Sequence, residues 1–396
     1  MSDYVLVINA GSSSLKYSLV DAASGAAPAV GLVEQIGEAE GHHSHRGPDG
    51  ELSTKLKVEN HEDALRAALE AFSSHGPSLD DVELAAIGHR VVHGGARFGD
   101  PALIDDELVA AVTELVPLAP LHNPANLEGI EVARRLFPDL RQVAVFDTAF
   151  HQTLAPEAYT YALPLELRDD HGIRRYGFHG TSYAFVAAEA ARLLDRDLAD
   201  LNLIVLHLGN GCSAAAIRGG ESVDTSMGMT PLEGLVMGTR SGDLDPAIHA
   251  HLARELGKSV AEIDQLLNHG SGLKGLAGGN DFRELSERRE AGDARAQLAF
   301  DVYCHRIKKY VGAYYAVLGT VDAIVFTAGV GQHSAAARAA SLANLERLGI
   351  ELDESRNTAS GADARRVSAD DSPVAVLVVP TNEEWQIARE TVALIR

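Results

Sequence analysis

The sequence has little cysteine, few aromatic residues and a shortage of positive charge. Two cysteines, Cys212 and Cys304, in 396 residues cannot form a disulfide framework, which favours a reducing compartment. Only 34 lysines and arginines oppose 56 acidic residues, and the net charge of −22 argues against nucleic acid or membrane as partners. No basic leader or long apolar run precedes the first predicted strand, so we expect no signal peptide or membrane span and a cytoplasmic location.

The composition is that of a soluble globular protein, and the length is enough for two domains. Hydrophobic residues make up 46% of the chain and charged residues 23%. Apolar strands in the stretches 84–95 and 142–148 alternate with amphipathic helix patterns at 61–74 and about 284–318, and a terminal helix is expected at 384–395. Against this acidic background, any site for an anion has to concentrate arginine or lysine locally.

The opening stretch, VLVINAGSSSLKY, predicts a strand, a Gly/Ser turn and a second strand of alternating pattern. The turn can offer backbone amides, the hydroxyls of Ser12 and Ser14 and the ammonium of Lys16 to a phosphate. It is not a P-loop, because the GxxxxGK[ST] spacing is absent. An ordinary hairpin that binds nothing is the alternative.

A similar stretch, LIVLHLGNGCSAAAI, occurs at residues 203–217, with Ser213 in the place of Ser14. One strand–turn–strand in each half is typical of a duplicated, two-lobed phosphate-binding protein. A third glycine turn, Gly329-Val-Gly331, follows an apolar strand and precedes a predicted helix, an arrangement that favours nucleotide binding. By contrast, the histidine cluster at 42–45 has no cysteine or carboxylate at ligand spacing, and we expect a solvent-exposed loop there.

Charged side chains stand at strand ends and between glycines along the chain. Arg90 precedes a double glycine, Asp147 ends an apolar strand, and His122 lies in a proline-broken loop. His179 and Arg240 are each flanked by glycines, which let a ligand approach closely. A surface arginine and a helix-capping aspartate are the alternatives for Arg90 and Asp147.

Nine dispersed motifs resemble the acetokinase family of the actin/Hsp70/sugar-kinase superfamily. They are VLVINAGSSSLKY, GHRVVHGG, APLHNPANL, VAVFDTAFHQT, RRYGFHGTS, HLGNGCS, MGTRSGDLDP, DFRE and PTNEEWQIAR. The resemblance implies a duplicated, two-domain, ribonuclease H-like α/β fold with the active-site cleft between the domains. The N-terminal domain would span 1–149, completed by a helix at 384–396, and the nucleotide-binding domain 150–383. It further implies a homodimer that uses Mg²⁺ or Mn²⁺ to transfer phosphate reversibly from ATP to acetate, giving acetyl phosphate and ADP.

The same resemblance implies a role for each matching residue. Arg90 would hold the carboxylate, His179 and Arg240 would stabilise the transferring phosphoryl group, and His122 would point at it. Asp147 matches the family's active-site acid, and we interpret it as orienting Arg90 or metal-bound water, since an ionised carboxylate needs no base. The resemblance also assigns a methyl pocket (Val92, Leu121, Phe178, Pro231), metal ligands (Asn9, Glu383) and nucleotide contacts (Ser12, Ser14, Lys16, His207, Leu208, Gly209, Asn210, Gly211, Asp281, Phe282, Arg283, Gly329, Val330, Gly331, Gln332, His333).

Five positions depart from the family pattern. Gln332 and His333 replace a usual Glu-Asn, which leaves the nucleotide preference open. Tyr183 replaces a histidine and Asn280 a serine, with little expected consequence, and Cys212 replaces a serine, which suggests sensitivity to thiol alkylation. A propionate or butyrate kinase of the same family shares every motif. A nucleotide-driven clamp of the Hsp70 type is the alternative from another class, although it would have no use for the two arginines.

Overall fold

The structure is a computed structural model that describes residues 3–79 and 81–396. The chain divides into two compact units: residues up to Phe150 together with Asn382–Arg396, and His151–Thr381. The domain boundaries expected from the sequence were 149 and 383. Within the described ranges, no helix combines the length and the apolar character that crossing a membrane requires.

The first unit is built on a mixed sheet with the strand order β5-β4-β3-β2-β1-β6-β8-β7. The strands are β1 (Tyr4–Gly11), β2 (Ser14–Asp21), β3 (Ala29–Glu34), β4 (Gly41–Gly47), β5 (Gly50–Leu56), β6 (Leu84–Val91), β7 (Ala102–Leu103) and β8 (Gln142–Phe146). The helices before residue 150 are α1 (His61–His75), α2 (Asp106–Glu114) and α3 (Asn123–Leu136). Strands β1, β6 and β8 run parallel, and their apolar sequences fit burial between two layers of helices.

The second unit repeats the central part of this sheet. Its strands are β9 (Asn202–Leu208), β10 (Cys212–Arg218), β11 (Glu221–Thr225), β12 (Ala323–Thr327), β13 (Arg365–Arg366) and β14 (Ala375–Val378), in the order β11-β10-β9-β12-β14-β13. The order β3-β2-β1-β6-β8 thus recurs as β11-β10-β9-β12-β14, with antiparallel pairs first and parallel pairs after them. The repeat predicted from the two hairpins and the duplicated α/β fold are confirmed.

Helices surround the second sheet and connect its strands. They are α4 (Pro156–Tyr159), α5 (Leu165–Asp169), α6 (Gly180–Leu194), α7 (Ala247–Leu256), α8 (Val260–His269), α9 (Gly272–Ala277), α10 (Phe282–Glu290), α11 (Ala294–Leu318), α12 (Ala328–His333), α13 (Ala335–Leu342) and α14 (Glu354–Thr358). The helical region expected near 284–318 is broken in two, because Gly292 has a positive φ of 88° and the Asp293 carboxylate caps α11. The predicted glycine turn at Gly329 is wrong, since Gly329 and Gly331 lie inside α12.

The histidine cluster also differs from its prediction. Residues 41–47 form β4 rather than a loop, and His43 and His45 are buried on the same face of the strand. The Tyr17 hydroxyl on β2 lies 2.9 Å from His43 Nε2 and 2.8 Å from His45 Nδ1. The sequence did contain the alternation of a strand, but polar side chains occupy its buried positions.

The chain returns to the first unit through α15 (Glu383–Ile395). Ile387, Ala388 and Val392 of this helix pack against valines of β1, β2 and β8. The close approach depends on Gly88 of β6, because a Cβ there would stand 2.7 Å from the side chains of both Ile387 and Thr391. Packing of α15 brings Glu383 and Glu384, at its N-terminus, to the carboxyl ends of the central strands.

Candidate active site

The first unit holds an arginine–carboxylate pair where β6 and β8 end. Arg90 Nε donates to Asp147 Oδ1 at 2.9 Å, and Arg90 Nη2 donates to Oδ2 at 2.5 Å. Arg90 Nη1 also donates to Asn9 Oδ1 at 3.4 Å. Neighbouring parallel strands place Arg90 and Asp147 side by side, and the two-point contact fixes the guanidinium plane.

Further carboxylates and a lysine lie around this pair. Burial opposes the charge on Arg90, but Asp147, then Glu383 and Glu384, outweigh it and raise the Arg90 pKa above its usual value. Burial raises the pKa of Glu383, with Asp147 and Glu384 adding to the effect, while Arg90 and Lys16 oppose it. Lys16 makes an ion pair with Glu384. The centre therefore carries more negative than positive charge, which favours a cation.

Two buried asparagines of α3 hold the loop after β6 in place. Asn126 accepts the Val92 N–H at 2.9 Å and donates to the Ala10 carbonyl at 2.7 Å. Asn123 accepts the His93 N–H at 3.2 Å and donates to the His93 carbonyl at 3.0 Å. Sequence reasoning missed both roles. The spacing Asn-Pro-Ala-Asn at a helix start was the signal that could have indicated them.

The other site residues predicted for the first unit differ in their burial and in their place in the fold. Val92 is buried, whereas Leu121 is 54% exposed. His122 occupies the N-cap position of α3. Ser12 is exposed in the two-residue turn between β1 and β2, and Ser14 pairs with Gly11 across that turn.

The predicted metal ligands can be tested against the donors present. Asn9 and Glu383 offer an amide and a carboxylate oxygen, the ligand types that suit Mg²⁺. Over residues 3–79 and 81–396, no three His, Cys, Asp or Glu side chains cluster so as to hold a metal by themselves. Mg²⁺ usually keeps several waters and binds substrate phosphates, so two protein oxygens are enough for its usual coordination.

In the second unit, His179 lies directly before α6 with a left-handed backbone, at φ 58°. Its Nδ1 is 2.8 Å from the Ser213 hydroxyl, and Ser213 is in turn 2.5 Å from the Tyr183 hydroxyl. The His179 ring stacks on the His207 ring with centroids 4.1 Å apart and planes 18° apart. Ser213 and Tyr183 are further residues that sequence reasoning did not assign to the site.

Arg240 approaches the same place from another loop. Its Nη1 donates to the Pro231 carbonyl at 3.2 Å. In the parts of the chain that the structure describes, no carboxylate oxygen lies within 4.0 Å of its guanidinium. A Cβ on Gly211 would stand 3.6 Å from Arg240 Nη1 and 3.6 Å from His179 Nε2. The two donors therefore converge on the glycine turn between β9 and β10.

The turn borders a cavity of about 1090 Å³ that lies wholly within the second unit. Its lining includes eight of the residues predicted to contact nucleotide: Gly209, Asn210, Asp281, Phe282, Arg283, Gly329, Val330 and His333. The lining lacks five others, which are His207, Leu208, Gly211, Gly331 and Gln332, and Lys16, Ser12 and Ser14 belong to the first unit. Residue 238 has to be glycine, because a Cβ added there would collide with the Asn210 side-chain oxygen, Oδ1.

Arg338, which no pattern in the sequence singled out, supports the wall of this cavity. Its side chain is fully buried, and Nη1 donates to the Gly331 carbonyl at 2.8 Å and the Gln332 carbonyl at 2.9 Å. Nε donates to Asn357 Oδ1 at 2.7 Å, and burial, with Arg365 nearby, lowers the Arg338 pKa to about 10. These contacts satisfy two carbonyls at the end of α12, the helix whose residues Gly329, Val330 and His333 line the cavity.

Phe178 and Pro231, two residues predicted for the methyl pocket, lie next to His179 and Arg240 in the second unit. Phe178 directly precedes His179, is buried, and has its carbonyl 3.0 Å from His151 Nε2. Pro231 provides the carbonyl that accepts from Arg240. The structure thus connects both residues with His179 and Arg240.

The environment of Cys212 disfavours its expected reactivity. The thiol is fully buried and contacts the Gly209 carbonyl at 3.1 Å. Burial raises the pKa of the Cys212 thiol to about 11, which keeps it out of the reactive thiolate form at neutral pH.

Two duplicated sheets, a nucleotide-sized cavity beside a glycine turn, and arginines held at strand ends and loops define the class. The protein is a phosphotransferase with the two-domain, actin-like kinase fold. The chain belongs to the acetokinase family, whose model matches residues 4–389.

Comparison with individual proteins agrees with that assignment. The chain is 56% identical over 391 residues to an acetate kinase of Leifsonia xyli, covering 99% of this chain and 98% of the relative. It is similar to the crystal structure of Porphyromonas gingivalis acetate kinase, with a TM-score of 0.95 and 42% identity over 99% of this chain and 100% of that one. A propionate kinase structure from Francisella tularensis has a TM-score of 0.93 and 41% identity over 98% of this chain and 99% of that one.

Proposed function

We propose that this chain catalyses reversible phosphoryl transfer from ATP to acetate, giving acetyl phosphate and ADP. The observation that carries the proposal is the 56% identity over nearly the full length to an enzyme named acetate kinase. The residue chemistry supports it independently, since the paired Arg90 and the cavity of the second unit suit a carboxylate and a nucleotide.

Acetate is ionised at neutral pH and needs no base to become a nucleophile. Its capture needs fixed positive charge, which Arg90 supplies. A guanidinium has five N–H donors, of which Asp147 takes two and Asn9 a third. Donors on Nη1 and Nη2 remain for a carboxylate, while Asp147 keeps the plane of the group fixed. The nearby Val92 offers an apolar surface to the methyl group.

The nucleotide would occupy the cavity of the second unit, with its phosphates over the Gly209–Gly211 turn. His179 Nε2 and Arg240 Nη1 converge on that turn, where they can donate to the equatorial oxygens of the transferring group. Such preorganised donors stabilise the charge that develops as the carboxylate oxygen attacks the terminal phosphorus in line. Lys16, Ser12 and Ser14 of the opening hairpin stay as proposed phosphate contacts.

Asn9 and Glu383 are the residues proposed to hold Mg²⁺. A Mg²⁺ ion held by Asn9 Oδ1 and the Glu383 carboxylate would supply positive charge to offset that of the phosphates. Glu383 is surrounded by Asp147 and Glu384 as well as Arg90 and Lys16, and a bound cation would offset the excess of carboxylates. We further infer a homodimer in the cytoplasm, to be tested by light scattering of the purified protein and by cell fractionation.

Trapping of acetyl phosphate tests the activity. The purified protein with ATP, Mg²⁺, acetate and hydroxylamine is expected to produce acetohydroxamate, and absence of product would reject the proposal. Parallel assays with propionate and butyrate distinguish the alternative acid substrates. Relatives from 52% to 56% identical are named acetate kinase, so acetate is expected to be the best substrate. Assays with ATP and GTP determine the nucleotide preference left open by Gln332 and His333.

A further inference from the structure

One position where this chain departs from its family, Tyr183, touches the machinery around His179. Tyr183 is the fourth residue of α6 and fully buried, and its N–H donates to the His179 carbonyl at 3.0 Å. Its hydroxyl is 2.5 Å from Ser213 Oγ, which lies 2.8 Å from His179 Nδ1. A continuous chain of hydrogen bonds thus runs from a buried phenol through a serine to the imidazole.

Two residues of the second sheet also position the His179 ring. Ser213 of β10 and His207 of β9 are paired residues on antiparallel strands, so their side chains lie next to each other on one face. His207 stacks on the His179 ring, and its Nδ1 is 2.9 Å from the Ser182 hydroxyl. The His179 ring is therefore located by a ring stack and by a hydrogen bond at Nδ1, and Nε2 is the atom directed at the glycine turn.

Which nitrogen of His179 carries the proton decides what Nε2 can do. A neutral imidazole protonated at Nδ1 would present the Nε2 lone pair to an anionic phosphoryl oxygen, which is repulsive. Protonated at Nε2, it presents a donor. Burial raises the pKa of the Tyr183 hydroxyl, so it stays protonated and able to donate at every pH at which the enzyme would work. A serine hydroxyl has one hydrogen, and a serine that accepts from Tyr183 has that hydrogen available for Nδ1.

We propose that Tyr183 is a positioning residue that, through Ser213, fixes His179 as the tautomer with its proton on Nε2. Tyr183 donates to Ser213 Oγ, and Ser213 donates to His179 Nδ1. His179 Nε2–H then points at the Gly211 turn beside Arg240, ready to donate to the transferring phosphoryl group. This inference rests on the proposed phosphoryl transfer for its kinetic consequence, whereas the tautomer itself can be observed without any substrate.

The test compares Tyr183→Phe with wild type by nuclear magnetic resonance and by kinetics. In protein labelled with ¹⁵N-histidine, long-range ¹H–¹⁵N spectra recorded at about pH 8.5, well above the pKa of a free imidazole, distinguish the two tautomers. A His179→Asn variant assigns the signal. Wild type is expected to show Nε2 protonated, and Tyr183→Phe a mixture of tautomers. We expect kcat to fall about five- to tenfold, as for one lost hydrogen bond, with KM for acetate unchanged.

Controls separate positioning from structural damage. Tyr176→Phe removes another buried hydroxyl of the second unit, bonded to the Gly172 carbonyl at 2.7 Å, and is expected to change neither the spectrum nor kcat. Tyr183→His retains a hydrogen-bond donor and is expected to keep most of the Nε2-protonated tautomer and most of the wild-type kcat. If Tyr183→Phe does not fold, Ser213→Ala removes the same link and should release the same tautomer mixture.

The outcomes are distinct. An unchanged His179 tautomer in Tyr183→Phe or Ser213→Ala overturns the inference, even if kcat falls, because the loss is then structural. A wild type whose Nδ1 is protonated overturns it directly. A wild type that makes no acetohydroxamate rejects the proposed function, while the spectra still decide what Tyr183 does to His179.

Discussion

Replacement of Arg240 by alanine is expected to remove most of the turnover while leaving the stability nearly unchanged. The guanidinium donates to the Pro231 carbonyl at 3.2 Å, and Nη1 lies 3.8 Å from the Met237 sulfur. Burial lowers the Arg240 pKa, which means that the folded protein holds this charge at some cost. Loss of the bond to Pro231 costs about 1 kcal/mol, and release of a poorly compensated charge offsets it.

The effect on catalysis has no such compensation. Arg240 Nη1 and His179 Nε2 both approach the Gly211 turn, so a phosphoryl group placed there would lose one of two charged or polar donors. Removal of one preorganised donor of this kind costs about 10²–10³ in kcat, or about 2.7–4 kcal/mol. The predicted ratio of catalytic to structural damage is therefore large, which is unusual for a partly buried arginine.

The assay measures acetohydroxamate formation together with the free energy of unfolding in urea. Arg218→Ala is the matched control, since Arg218 also donates to a main-chain carbonyl, that of Val317 at 3.1 Å, but is exposed at the far end of β10. This control is expected to keep wild-type turnover. An Arg240→Ala variant that folds and retains turnover within a few-fold of wild type would refute the assigned role.

Three further outcomes follow from the described contacts. Asp147→Asn removes the carboxylate paired directly with Arg90 and is expected to lower the free energy of unfolding in urea by about 3 kcal/mol. Asp106→Asn, which breaks an exposed pair with Arg134, should cost less than about 1 kcal/mol, and equal effects would contradict the reasoning. Cys212 is expected to resist iodoacetamide in the native protein and to react in urea, as mass spectrometry would show; rapid native labelling would contradict its burial. Burial lowers the pKa of His43 from 6.5 to about 4 in the folded protein. As the pH falls below 6.5, His43 therefore becomes protonated in the unfolded chain before it does in the folded one. The free energy of unfolding should then decline by up to about 3 kcal/mol between pH 6.5 and pH 4. His43→Phe should weaken that decline, and an identical pH profile would argue against it.

Much of the fold could be predicted because its signals are local. The hairpins at β1–β2 and β9–β10 combine period-two alternation with glycine turns, and the structure places both at equivalent positions of repeated sheets. The helix predicted at 61–74 corresponds to α1, which Asn60 caps through the Asp63 N–H. These features depend on residues close together in the sequence, where propensity and pattern are informative.

The errors arose where a distant residue decides the environment. His43 and His45 are buried because Tyr17 offers both of them a hydroxyl from another strand. The thiol of Cys212 is buried and contacts the Gly209 carbonyl and the Tyr303 hydroxyl, although its position in a glycine turn suggested access. Tyr183 was expected to matter little, yet its hydroxyl contacts a serine 30 positions away. Side-chain partners across strands are not visible in a single sequence.

The return of α15 to the first unit has a consequence for how the protein is made. A ribosome produces β1 to β8 first, but Ile387, Ala388 and Val392, which pack on the valines of one face of that sheet, come last. The whole second unit, His151–Thr381, is synthesised between these two events and can complete its own core earlier. The valines of that sheet face therefore lack their covering helix until the last residues of the chain have been synthesised. Glu383 belongs to the same helix, so the carboxylates around Arg90 are complete only when α15 has packed on the sheet.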